Sequence, residues 1–171
     1  FVRFADAAEL DAALAQKTGL LWIETPSNPL LRITDIAALV QKVKGRGTLV
    51  AVDNTFLSPA WQQPLALGAD IVVHSTTKYI NGHSDVVGGA VVAATKDLHD
   101  QLAWWANALG LTGGAFDSFL TLRGLRTLPL RLARHVASAM TIAQWLQTRP
   151  EVREVIYPAL PGSRGHELWK R

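Results

Sequence analysis

Four short apolar runs constrain the fold of this chain more than anything else in it. They are "GLLWIE" (19–24), "TLVAVD" (48–53), "ADIVVHS" (69–75) and "GGAVVAA" (88–94). None alternates apolar with polar residues, as a strand with one wet face would. Helical patterns separate the first three. "DIAALVQKVKG" places Ile36, Leu39, Val40 and Val43 on one face behind Thr34 as N-cap, and "PAWQQPLALG" lies before the third run. Continuous strands separated by helices predict an α/β domain, a mostly parallel sheet with helices on both faces.

Beyond residue 97 the pattern is helical. "LHDQLAWWANALG" and "AFDSFLTLRGL" each predict one helix, and Pro129 opens a long one through about Thr148. "EVREVIYP" (151–158) then reads as a strand beginning a second domain. The expected division is residues 1–150 in a large domain and 151–171 at the start of a C-terminal one. "FVRFAD" reads as a strand tail entering a helix, and "GHELWKR" stops inside another helix. The expectation is therefore a piece of a longer architecture.

Composition excludes several classes of function. With 49% apolar and 18% charged residues in 171, the chain can bury a core and is not a disordered segment. The net charge of +3 is scattered, and "RGLRTLPLRLARH" interleaves its basic residues with leucine, as an amphipathic helix does. No nucleic-acid module is signalled. The absence of cysteine removes disulfides, thiolate nucleophiles and Cys-based zinc sites, and fits a reducing, cytoplasmic compartment. No apolar run approaches the roughly 20 residues of a membrane span, and no secretory signal is present.

Three of the strands end in polar residues, at the edge where open α/β sheets bind ligands. Glu24 and Asn28 follow the first. Asp53, Asn54 and Thr55 end the second. His74, Ser75, Thr76, Thr77 and Lys78 end the third. A partly desolvated lysine is a nucleophile towards an aldehyde, neighbouring hydroxyls suit a phosphate, and a carboxylate can partner a protonated ring nitrogen. Aldehyde, phosphate and pyridinium together describe pyridoxal 5'-phosphate. Taken singly, each residue has a plainer reading. Lys78 is also what a solvated loop lysine looks like, Asp53 a turn residue or cap, and Ser75 and Thr77 the caps of a local turn. Gly82, Gly88 and Gly89 can serve turns alone. His74, His83 and Asp85 have ligand chemistry but no metal-site spacing.

"ETPSNPLLRITDI", "VDNTFLSPAWQQPLALGAD" and "HSTTKYINGHSDVVGGAVV" resemble the Cys/Met-metabolism family of pyridoxal-phosphate enzymes, densely and from about residue 20 onward. "LAWWANALGLTGGAFDSFLTLRGLRTLPLR" is most similar to the bacterial γ-synthase branch of that family. The resemblance implies an aspartate-aminotransferase-like large domain (fold type I), here incomplete, in a homotetramer built from dimers. It implies that Lys78 carries the cofactor and moves substrate protons. It further implies that Asp53 partners the ring nitrogen with Thr55 nearby, that Ser75 and Thr77 hold the phosphate, and that Asn28 faces the phenolic oxygen. Glu24 falls in the same motif. The activity implied is γ-replacement on an O-acyl-homoserine by cysteine. A sibling γ-lyase or sulfhydrylase, or a catalytically incompetent fragment, stands as the alternative. An upstream phosphate loop with a stacking aromatic, and a downstream arginine for the substrate carboxylate, are family features with no match in this chain. Arg123 and Arg126 read as structural or subunit-contact residues, and Trp104 and Trp105 as packing or interface aromatics.

Overall fold

A computed structural model of the chain describes residues 2–170. Its centre is a four-stranded sheet in chain order: β1 (Leu20–Glu24), β2 (Leu49–Asp53), β3 (Ile71–Ser75) and β4 (Gly89–Ala93). β1, β2 and β3 are parallel, with Ile23 beside Val52 and Val52 beside Val72. Each parallel step needs a crossover connection. Helix α2 (Ile36–Val43) supplies the first, and α3 (Ser58–Trp61) with a 3-10 turn (Pro64–Leu67) supplies the second. The expected single helix over "PAWQQPLALG" is broken in two. Pro64 disfavours helical geometry in the residue before it, and Gln62 and Gln63 are accordingly non-helical.

β4 departs from the expected pattern. It runs antiparallel to β3, pairing Ser75 with Gly89 and Ile71 with Ala93. The 76–88 connection contains no helix, so the chain turns back directly instead of crossing over.

One sheet face is sealed. Leu21, Ile23, Val50 and Val52 cluster with Leu10 and Leu14 of α1 (Ala7–Leu14) and with Ile36, Leu39 and Val43 of α2. Ile23 and Val52 are 0% exposed, and full burial of such a side chain stabilises by roughly 1.5–3 kcal/mol. Asp6 caps α1 by accepting from the Ala8 and Glu9 amides, and Asp35 caps α2 by accepting from Ala38. The cap of α2 is therefore Asp35 rather than the expected Thr34. The Thr34 amide donates to Thr25 Oγ1 at 3.0 Å, tying that residue to the end of β1. The second face is less covered than expected, with Leu20, Trp22, Leu49 and Val91 all exposed.

Helices α4 (Lys96–Ala108), α5 (Ala115–Leu125) and α6 (Leu128–Gln147) lie where the sequence pattern puts them, with Pro129 in the first turn of α6. The strand expected over 151–158 is not formed. That stretch is mostly irregular, the Val152 amide donates to the Arg149 carbonyl at 3.1 Å, and it joins no strand of the sheet. Residues 2–5 form no strand either, while Phe1 lies outside the described residues. "GHELWKR" holds the four-residue α7 (His166–Trp169), and Arg171 also lies outside.

Candidate active site

β1, β2 and β3 deliver their carboxyl ends to one edge of the sheet. Glu24 and Asp53, the last residues of β1 and β2, are register partners. Asp53 pairs in turn with Val73, and Ser75 lies two positions further along β3. Side chains alternate faces along a strand, so Glu24, Asp53 and Ser75 share the face opposite Ile23, Val52 and His74.

Buried polar residues support this row from behind. Asn54 Nδ2 donates to the Gln62 carbonyl at 2.8 Å, and Gln62 Nε2 donates to Asn54 Oδ1 at 2.9 Å and the Thr25 carbonyl at 3.3 Å. Thr25 and Asn54 are both buried. That exchange locks the ends of β1 and β2 together. The Ser75 amide donates to Thr55 Oγ1 at 2.7 Å, lashing β2 to β3, while the Thr55 amide donates to Asp53 Oδ1 at 3.0 Å. Glu24 Oε1 accepts from the Asn28 amide at 3.1 Å and so shapes the loop that presents Asn28. Among the described residues, then, the side chains of Glu24 and Thr55 bond backbone amides at the site.

Lys78 stands three residues past Ser75 and is exposed, in place of the partly desolvated setting that its chemistry suggested. The turn beneath it is well bonded. The Lys78 carbonyl accepts from the Gly82 amide at 2.9 Å, and the Thr76 carbonyl accepts from Asn81 at 2.8 Å. The Asn81 side chain, 1% exposed, donates to Val86 O at 3.2 Å and Thr76 Oγ1 at 3.4 Å. Gly88 packs closely here: a Cβ would sit 2.8 Å from Thr76 Oγ1, so that side chain would have to shift. Its amide donates to Thr77 Oγ1 at 3.0 Å, and that hydroxyl lies 3.3 Å from the Gly88 carbonyl.

The residues present fit pyridoxal phosphate in kind. An amine on Lys78, a hydroxyl on Ser75 and the second oxygen of Asp53 share no hydrogen bond with any described residue, although the strand ends that carry them are cross-bonded by Thr55, Asn54 and Gln62. Amine, hydroxyl and carboxylate thus stand uncommitted at one end of one sheet, matching an aldehyde, a phosphate and a pyridinium.

His74 is buried, and desolvation lowers its imidazole from the ordinary value, outweighing the nearby Asp53 charge and a backbone contact at Asn54. Its Nδ1 has no partner. The metal reading of His74, His83 and Asp85 finds no support. No group of ligand residues gathers among the described residues. His83 Nδ1 lies 2.7 Å from the Asn81 carbonyl, and Asp85 pairs with Arg123 at 3.4 Å. Arg126 caps the end of α5. Trp104 and Trp105 meet edge-on, 4.8 Å apart, and both are exposed. A cavity of about 560 Å³ lined by Leu30, Arg32, Arg153 and Tyr157, among others, lies elsewhere; none of Lys78, Asp53 or Ser75 lines it.

Two supporting residues escape sequence reasoning. Gln62 backs Asn54, and Arg131 of α6 binds the carbonyls of Tyr79 (2.7 Å), Ile80 (3.2 Å) and Gly124 (2.8 Å). Most of the acceptors involved are backbone groups, which every sequence offers and no motif marks.

A cystathionine gamma-synthase of Escherichia coli (strain K12) is 54% identical over 171 residues, covering 100% of this chain and 44% of that protein. A cystathionine gamma-lyase of Dictyostelium discoideum is 48% identical, with the same coverage of each. The crystal structure of cystathionine gamma synthase from Xanthomonas oryzae pv. oryzae in complex with cystathionine matches with a TM-score of 0.97 and 59% identity, over 99% of this chain and 44% of that one. The chain therefore spans less than half the length of these relatives. Residues 1–171 match the family model throughout, and the chain belongs to the Cys/Met metabolism PLP-dependent enzymes.

Proposed function

We propose that this chain supplies the lysine-bearing part of an enzyme that joins cysteine to an O-acyl-homoserine, giving cystathionine. The observation that carries the proposal is the uncommitted Lys78 amine, three residues past Ser75 on the sheet end that also bears Asp53. Likeness to gamma-synthases at 54% and 59% identity supports the choice of reaction within the family.

When bound, pyridoxal phosphate supplies a ring that takes up electrons from the substrate's α-carbon. Lys78 Nζ anchors it, then removes the substrate α-proton and returns protons as the exchange at Cγ proceeds. At Cγ the bond to the ester oxygen breaks and one to sulfur forms; the acyl group leaves as its carboxylate and the thiol gives up its proton. The Asp53 carboxylate holds a proton on the ring nitrogen. The Ser75 hydroxyl would donate to a phosphate oxygen, the Thr77 hydroxyl would do the same on leaving the Gly88 carbonyl, and the Asn28 side-chain amide would donate to the phenolic oxygen. Glu24 and Thr55 keep Asn28 and Ser75 in place through the backbone bonds described above.

The same proposal places residues 1–150 in the cofactor-binding large domain and 151–171 at the opening of a C-terminal one, with α6 ending at Gln147 just before the division. It includes a homotetramer, for which exposed Trp104, Trp105, Phe116 and Leu130 provide apolar surface. A cytoplasmic setting is supported by the cysteine-free composition. None of the described helices is long and apolar enough to cross a membrane.

The likeness to a gamma-lyase favours a second reading, in which the enzyme breaks cystathionine down. Rates of cystathionine formation and of its cleavage, measured on the full-length enzyme, separate the two. Synthesis at least tenfold faster than cleavage is expected; faster cleavage would reverse the assignment.

A further inference from the structure

Lys78 is exposed, yet the turn that carries it is gripped from behind by one side chain. Arg131 Nη1 donates to the Tyr79 carbonyl at 2.7 Å, and Nη2 donates to those of Ile80 (3.2 Å) and Gly124 (2.8 Å). Its Nε donates to Thr127 Oγ1 at 3.0 Å. No other described donor reaches the Tyr79 or Ile80 carbonyl. Tyr79 follows Lys78 directly, so the first of these bonds fixes the peptide plane beside the lysine Cα.

The surrounding contacts bear on the same place. A Cβ on Gly82 would sit 2.2 Å from Arg131 Nη1, and one on Gly124 would sit 2.5 Å from both the Ile80 and Asn81 carbonyls. Ile80 shares a small core with Leu128 and Leu132 of α6. The Tyr79 ring lies between Phe56, at 6.4 Å, and His135, at 5.7 Å. The turn therefore has no freedom on its inner side, and the planar fork of a guanidinium is what satisfies three carbonyls at once.

We infer that Arg131 is a positioning residue for Lys78, holding the 78–82 turn so that Nζ is presented to the reacting carbon in one place. This inference rests on the reading of Lys78 given under the proposed function. Proton transfer depends steeply on placement, and a displacement near 1 Å costs about a hundredfold. Lysine at this position keeps the charge and three donors but loses the fixed planar fork, and restores part of the effect.

The test uses the full-length holoenzyme and Arg131→Met, Arg131→Lys, Thr127→Val and Arg46→Met. Arg46 donates to the Leu14 carbonyl at 2.9 Å on the far face of the sheet and controls for loss of any arginine–carbonyl bond. Arg131→Met is expected to lower kcat by roughly 10- to 100-fold with KM within about twofold, and to shift the pH limb of kcat. Hydrogen exchange at the Asn81 and Gly82 amides should quicken at least tenfold in the apoenzyme and holoenzyme alike. Arg131→Lys should fall between, and Arg46→Met should match the unaltered enzyme in both readouts. Should Arg131→Met fail to fold, Thr127→Val keeps the three carbonyl bonds of Arg131, removes its Nε acceptor and the hydroxyl's own bond to the Gly124 carbonyl (3.3 Å), and should show the same changes at a few-fold scale. Variants that lose thermal stability while keeping kcat, pH profile and turn exchange would overturn the inference. Borohydride reduction with peptide mapping is run first on the unaltered enzyme. No cofactor on Lys78 would remove the premise and the inference with it, whereas label on Lys78 beside an indifferent Arg131 would sink the inference alone.

Discussion

Replacing Lys78 by alanine deletes an exposed amine that no described group holds, so the fold loses no contact. Turnover of the full-length enzyme should fall by about a thousandfold or more, with circular dichroism and thermal midpoint unchanged. Near-normal turnover would remove Lys78 from its role. Asp53→Ala acts on the electronics of the ring rather than on its attachment. Its kcat should drop on the order of a hundredfold or more, while cofactor affinity, followed by absorbance titration, changes about tenfold at most. Equal losses in both would make Asp53 an anchor. The strand-end residues were legible because amine, hydroxyls and carboxylate recur at successive strand ends and fall within strings that resemble a family. Arg131 and Gln62 were not, because their acceptors are largely backbone carbonyls with no residue signature.

Among the elements, α5 meets the lysine turn at Gly124, where two opposing effects can be weighed. Alanine in a helix interior is ordinarily about 1 kcal/mol better than glycine. Here its Cβ would stand 2.5 Å from two backbone carbonyls that cannot step aside, and such overpacking typically costs about 1–3 kcal/mol. The clash should win, and Gly124→Ala should lower the urea midpoint; a raised midpoint would show that the turn yields. The strands and long helices were legible from apolar runs and periodicity. The direction of β4 was not, since a short apolar run reads the same either way and only the helix-free 76–88 link decides it. The strand expected over 151–158 failed for a related reason, because strand propensity is realised only where a neighbour offers a ladder. The α2 cap lies one residue later than expected because the Asp35 carboxylate is the side chain that meets the Ala38 amide.

Across the whole molecule, His74 links stability to pH. Burial lowers its imidazole below the ordinary 6.5, so the unfolded chain takes up this proton more readily than the folded one. The contribution of neutral His74 is complete above pH 6.5 and is lost as pH falls below that value towards the folded one. The thermal midpoint should therefore decline between pH 7 and 5, and less so in His74→Gln. An identical slope in both would assign the loss to other groups. The architecture as a class was legible at this scale, but the open second sheet face was not, since apolar strand residues look alike whether covered or bare. The doubling back of β4 has a consequence in time. Ser75 and Gly89 meet across a short stretch of chain, whereas Glu24 and Asp53 come from strands joined by a whole crossover. Nearer pairs close first. Pulse-labelled exchange during refolding should find the 71–75 and 89–93 amides protected ahead of those in 20–24. The amine's turn would then take shape while Glu24 is still in transit, and the site would be completed around the lysine rather than the lysine fitted into the site.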